Sequence, residues 1–131
     1  MHITTKSLLA VKTLLACAKQ PDRQFRKHDI AVDLQASENH LAQVVHQLGR
    51  KGFLTTQRGR SGGLKLARPP EQITVGEVLR QFEHCLPLAQ DCDGRLGQVF
   101  ALAEEAFYRQ MDGVTLAALV ARPDPVRLAA E

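Results

Sequence analysis

The chain has 131 residues, is 44% apolar, lacks Trp, and carries three Cys and a formal net charge of +3. That length holds one domain, or one domain with an appended arm. No stretch approaches the roughly 18–20 apolar residues of a membrane helix, and three unevenly spaced Cys do not make a disulfide framework. The charge is unevenly placed. Residues 1–82 carry 13 Lys and Arg against 6 Asp and Glu, whereas residues 83–131 carry 4 against 8. A basic half of this kind suits a polyanionic partner.

The opening MHITTKSLLAVKTLLACA pairs a cation with an apolar run, as a secretory leader does. Lys6 and Lys12 interrupt the run and its apolar residues keep a helical period, so it is read as a first helix from about Thr5 to Lys19. The expected location is cytoplasmic, with reduced thiols and no membrane contact. Leu8, Val11, Leu15 and Ala18 are expected to form the apolar stripe, with Leu14 beside them. Cys17 reads as a small buried apolar residue.

Gln20-Pro21-Asp22 breaks the chain. A second helix follows from about Arg26 to Leu34, with Ile30, Ala31 and Leu34 inward and Phe25 packed at its start. Gln35-Ala36 is the turn, and Ser37 is placed to cap a third helix. Leu41, Val44, Val45 and Leu48 fall at i, i+3, i+4 and i+7 on that helix. Two short helices joined by a tight turn make a helix-turn-helix, in which the second helix reads bases from its N-terminal residues. Asn and Gln pair with adenine, and Glu accepts from the cytosine amino group. The expected groove contacts are therefore Ser37, Glu38, Asn39, His40 and Gln43. His46 and Arg50 are expected to meet phosphates or solvent.

The period then changes from helix to strand. Phe53-Leu54-Thr55-Thr56 and Leu64-Lys65-Leu66 read as two short strands. Between them, Gln57-Arg58-Gly59-Arg60-Ser61-Gly62-Gly63 is a basic, glycine-rich tip. A helix followed by a basic hairpin is the order of a winged helix-turn-helix. Arg58, Arg60, Ser61, Gly62 and Gly63 are expected to meet the DNA backbone or a narrow minor groove. A nucleotide-binding loop is the rival reading of the glycines, but no GxxxxGK[ST] is present.

Pro69-Pro70 ends the wing, and Thr74 is placed to cap a helix from about Val75 to Phe82 with Val75, Val78, Leu79 and Phe82 inward. Glu83–Asp93 reads as an irregular loop holding His84, Cys85 and Cys92. A long helix from about Arg95 to Asp112 carries one apolar stripe of Leu96, Val99, Phe100, Ala103, Ala106, Phe107 and Met111. That stripe is assigned to a two-fold interface, because helical DNA readers are commonly symmetric dimers. Thr115–Val120 is a last short helix before a tail. The fold class is thus mainly α with a small β-hairpin. Residues 1–82 form a winged helix-turn-helix, and residues 83–131 a cysteine loop, a long dimerisation helix and a tail.

These strings resemble one family. ITTKSLLAV, NHLAQVVHQLGRKGFL, RGRSGGLKLARPPEQITVGEVLRQFE and TLAAL together are similar to the IscR/NsrR-type (Rrf-two) family of bacterial winged-helix regulators. The match runs over almost the whole chain, and its most specific part is the double glycine joined to ARPPEQITVGEV. The resemblance implies a homodimer that binds pseudo-palindromic promoter DNA, usually as a repressor, with the long helix as the dimer helix. Many members hold an iron–sulfur cluster on three cysteines of the loop before that helix, with a fourth ligand from elsewhere. Here the set is incomplete. Cys85 and Cys92 are present, but Gly94 stands where the last cysteine is expected, Gly97 where some members place a His, and Leu8 where others place an acid. Two thiolates underfill a cluster or a zinc site. Three readings of Cys85 and Cys92 stay open: a cluster completed by His84, Asp91, Asp93 or a partner subunit; a redox-active thiol pair; and a loop that has lost sensing or passed it to a small molecule. A protein-binding winged helix and a thiol oxidoreductase are the remaining rivals. The second lacks CxxC and any catalytic grouping, so no enzyme is expected.

Overall fold

The computed structural model describes residues 3–83 and 93–121. Their order is α1 (Thr5–Ala18), α2 (Lys27–Leu34), α3 (Glu38–Arg50), β1 (Leu54–Gln57), β2 (Gly63–Leu66), a 3-10 turn (Pro70–Gln72), α4 (Val75–Phe82), α5 (Gly94–Asp112) and α6 (Leu116–Ala121). The expected mainly α fold with one small hairpin is what forms.

Four helices start on a side chain that satisfies a free backbone N–H, as orphan donors at a helix start require. Thr4 Oγ1 accepts from Ser7 N at 3.2 Å, and Ser37 Oγ accepts from His40 N at 3.1 Å. Thr74 Oγ1 accepts from Glu77 N at 3.1 Å, and Thr115 Oγ1 accepts from Ala118 N at 3.0 Å. The turn between α2 and α3 is made by Gln35, a non-glycine residue at φ 54°. Its N–H closes α2 while the chain reverses into α3.

Leu41, Val44, Val45 and Leu48 of α3 are all buried, as are Val75, Val78, Leu79 and Phe82 of α4. They meet Leu14, Ala10 and Cys17 of α1 in one apolar core that also takes Phe53, Ile73, Tyr108 and Leu116. The stripe expected on α1 is corrected. Val11 and Ala18 are buried as expected, with Leu14 beside them, but Leu8 is 48% exposed and Leu15 only half-buried, and the rest of the inward face is Ser7, Leu9, Ala10 and Cys17. The small residues on that face let α1 lie close against α3 and α4. Thr13 is buried as well, its hydroxyl donating to Leu9 O at 2.7 Å one turn back. Burial pushes the Cys17 thiol up to about 12, which fits an inert packing residue.

β1 and β2 pair antiparallel, with Leu54 opposite Leu66 and Gln57 opposite Gly63. Phe25 adds a third edge: its N–H and C=O both exchange hydrogen bonds of 2.7 Å with Leu64. The stripe expected on the long helix divides in two. Phe107 and Met111 pack against the core of their own chain, while Leu96, Val99 and Ala103 are exposed. Leu102, outside the expected stripe, is 71% exposed.

Candidate nucleic-acid interface

A cleft of about 740 Å³ runs between α3 and the hairpin. Ala42, Val45, His46, Gly49 and Arg50 line one wall, Leu54–Arg58 with Gly63 and Leu64 the other, and Lys27 of α2 stands at its edge. This is where the fold joins the reader helix, the wing and the start of α2.

The expected α3 contacts fall into different local roles. Asn39 and Gln43 are exposed and free of described hydrogen bonds to the protein. His40 is half-buried. The Ser37 hydroxyl is engaged as the helix cap. The Glu38 carboxylate pairs with Nδ1 of His28, on the first turn of α2. The two side chains are 64% and 70% exposed, and the contact raises the His28 pKa, first through the hydrogen bond and then through the carboxylate's charge.

The wing tip is exposed at Arg58, Arg60 and Ser61. Gly59 turns the chain there at φ 109°, a conformation that costs L side chains dearly. The double glycine has a local task. A Cβ on Gly62 would lie 2.1 Å from Gln57 O, and one on Gly63 would lie 2.5 Å from Phe25 O. The wing therefore closes on the protein's own backbone at these positions. Arg26 Nη2 donates to Arg60 O at 3.1 Å, which ties the wing tip to the start of α2.

The start of α2 was missed in the sequence as part of this face. Arg26, Lys27 and His28 follow one another at a helix N-terminus, where the macrodipole disfavours cations. Three basic residues in that position were the available signal, since cations there call for groups that offset the cost, as Glu38 does for His28.

Cys85 and Cys92, offered as metal ligands, lie outside the described residues, as does His84. Among the described residues no group of three or more His, Cys, Asp or Glu side chains converges as a metal site would. Leu8 and Gly97 bring no donor, and Cys17 is fully buried. Among the described residues, no helix is long and apolar enough to cross a membrane.

Comparison with known proteins places this architecture. A family model described as "Rrf2: Iron-dependent Transcriptional regulator" matches residues 3–122. Over 133 aligned residues the chain is 36% identical to the HTH-type transcriptional regulator NsrR of Geobacillus kaustophilus, spanning 92% of this chain and 90% of the relative. Among solved structures it is similar to T. potens IscR, with a TM-score of 0.82 at 24% identity over 97% of this chain and 91% of that one. It is also similar to the oxidised form of Staphylococcus aureus CymR, with a TM-score of 0.80 at 25% identity over 95% and 99% of the two chains. These relatives are regulators rather than enzymes. With a family match over nearly its whole length and a relative at 36% identity, the chain belongs to the Rrf2 family of DNA-binding transcription regulators.

Proposed function

We propose that this regulator is a repressor that binds a pseudo-palindromic operator as a homodimer. The observation that carries the reading is the shared cleft, where the flank of α3 with His46 and Arg50, the wing with Arg58, and Lys27 of α2 face one another. α3 enters the major groove with Glu38, Asn39 and Gln43 toward the base edges, and Ser37 and His40 at the groove wall. Arg58, Arg60 and Ser61 follow the backbone into the neighbouring minor groove, on a tip that Gly62 and Gly63 close. Lys27 and Arg50 neutralise phosphates.

The second subunit supplies the matching half-site, about 34 Å along the duplex. Leu96, Val99 and Leu102 expose an apolar face on α5 at 57%, 59% and 71%. That face, with Ala103 beside it and Phe100 at its edge, is where the two-fold mate packs, while Phe107 and Met111 of the same stripe are taken up by the core of their own chain. Repression follows from occupancy of promoter DNA. One anaerobic visible spectrum with iron and sulfide analysis separates the cluster reading of Cys85 and Cys92 from the other two.

The test of the DNA reading is salt. A homodimer neutralising about four phosphates per subunit, about eight in all, weakens about 10⁴-fold between roughly 50 and 200 mM salt. A winged helix that binds protein instead changes little. In fluorescence anisotropy on a selected duplex, Arg58→Ala and Arg60→Ala should each weaken binding and shallow the salt slope. Val99→Asp with Leu102→Asp should leave a folded monomer by light scattering. A flat salt response, or a monomeric wild-type protein on operator DNA, refutes the proposal.

A further inference from the structure

The meeting point of α2 and α3 carries more than a scaffold contact. α3 has a single acid, Glu38, and it stands in the first turn of the helix, lining a recess that shares Lys27 and Ala42 with the cleft. An unpaired carboxylate there repels phosphates and is useful only opposite a cytosine amino group. It is not left unpaired. His28, ten residues earlier and across the helix-turn-helix turn, holds it through Nδ1. Both side chains are largely in solvent, so the pair contributes little to folding. Together with Lys27, Asn39 and Ala42 they line a recess of about 400 Å³ that opens at the starts of α2 and α3. Lys27 and Asp29 on α2 and Glu38 on α3 are the charged groups facing His28, and Asp29 adds a smaller pull of the same sign as Glu38.

We infer that His28 is a positioning residue for sequence readout: it aims the Glu38 carboxylate at one base pair and, when protonated, cancels its charge beside the phosphates, so that operator binding takes up a proton. The inference rests on the DNA-binding reading above. Its chemistry is balanced simply. The pair carries a net −1 when His28 is neutral beside the Glu38 carboxylate and no net charge when the ring is protonated. The field of the duplex favours the protonated ring, so binding draws a proton from solvent onto His28. Affinity then falls as pH rises, by at most tenfold per pH unit for one linked proton. Nδ1 engages one carboxylate oxygen, Oε1, and the other remains to accept from a base.

The experiment selects duplexes of about 30 base pairs from a random library with the wild-type protein, then measures affinity at about pH 6 and about pH 8 at fixed ionic strength. The wild type is expected to bind at least about threefold more tightly at the lower pH. His28→Asn should lose most of that ratio. Selection repeated with Glu38→Gln and with His28→Asn should relax the preference at the same base pair of each half-site, the second variant less than the first. A purely structural contact would not single out one position. Equal pH ratios in wild type and His28→Asn, or unchanged base preference in both variants, overturn the inference while leaving DNA binding intact. Failure of the wild type to enrich any duplex overturns both.

Discussion

Gly76 is the tightest point between α4 and α5, and replacing it with Ala tests the packing of the whole C-terminal arm. A Cβ built there would lie 2.0 Å from Asp112 Oδ1, 2.5 Å from Asp112 N and 2.8 Å from Asp112 Cα. Two of those atoms are backbone, and ordinary contact begins near 3.4 Å. The helices must therefore part by roughly 1 Å or tilt, and overpacking of this kind costs about 1–3 kcal/mol. Nor can the Asp112 side chain swing aside freely. Arg80 grips it at 2.8 Å, grips Glu105 at 3.2 Å, and lies over the Tyr108 ring at 4.9 Å. For a chain of this size each kcal/mol is worth about 4 °C in Tm, so Gly76→Ala should melt about 4–12 °C lower. The control is Gly49→Ala. Its Cβ would meet only Leu54 O at 3.9 Å, and Ala gains up to about 1 kcal/mol over Gly inside a helix. Melting is followed by circular dichroism at one fixed protein concentration, because a self-associating protein shifts Tm with concentration. If Gly76→Ala melts with the wild type, or no lower than Gly49→Ala, the α4–α5 packing described here is wrong.

Three further outcomes are expected. Gln35→Gly should stabilise the chain by up to about 1 kcal/mol in urea unfolding, because Gln35 holds a left-handed conformation that costs L residues about 1–2 kcal/mol; a loss of stability would contradict that geometry. The His28 ring should titrate above the usual histidine value in an NMR pH series and return toward it in Glu38→Gln. Since its folded pKa is the raised one, the pair's contribution to folding is complete below about pH 6.5 and lost as pH rises through the raised value. A His28 that titrates alike with and without Glu38 removes the pair. Native Cys17 should resist iodoacetamide near pH 8 and react once urea opens the core, as read by peptide mass spectrometry; its thiol at about 12 leaves almost no thiolate.

How legible the fold was in the sequence differs from helix to helix for a physical reason. α3 and α4 are strongly two-faced, so Leu41, Val44, Val45 and Leu48, and Val75, Val78, Leu79 and Phe82, name their own inward side. α1 has leucines on more than one side. Weighing it by side-chain size favours Leu8 and Leu15, whereas packing favours Ser7, Ala10 and Cys17, which are small enough for close approach. α5 is apolar over nearly half its circumference, and periodicity alone does not say which part meets its own chain. That division is settled by partners far away in sequence, Gly76 and Arg80. At the interface the wing was legible as a basic hairpin, but the jobs of Gly62 and Gly63 depend on where Gln57 and Phe25 come to lie. The His28–Glu38 contact needed the αL turn at Gln35 to bring two helix starts together, and no local pattern encodes that.

The bridge at the end of α5 explains how one helix serves two purposes. Ile73–Val75 and Val114–Leu116 lie side by side: Val75 N donates to Val114 O at 2.8 Å, and Leu116 N donates to Ile73 O at 2.9 Å. Thr74 and Thr115, the facing pair, each then start a helix. The C-terminal half of α5 is thus pinned to the winged domain by backbone pairing, by the Arg80 clamp and by the buried Tyr108 and Leu116. Its N-terminal half carries Leu96, Val99 and Leu102, with nothing of the described chain over them. Folding is secured at one end of the rod and apolar surface is left open at the other. A change at the open end can therefore alter association without unfolding the winged helix, and among the described residues the far end of the rod joins the rest of the fold through α4 and α6, both of which pack on α1 and through it on α3.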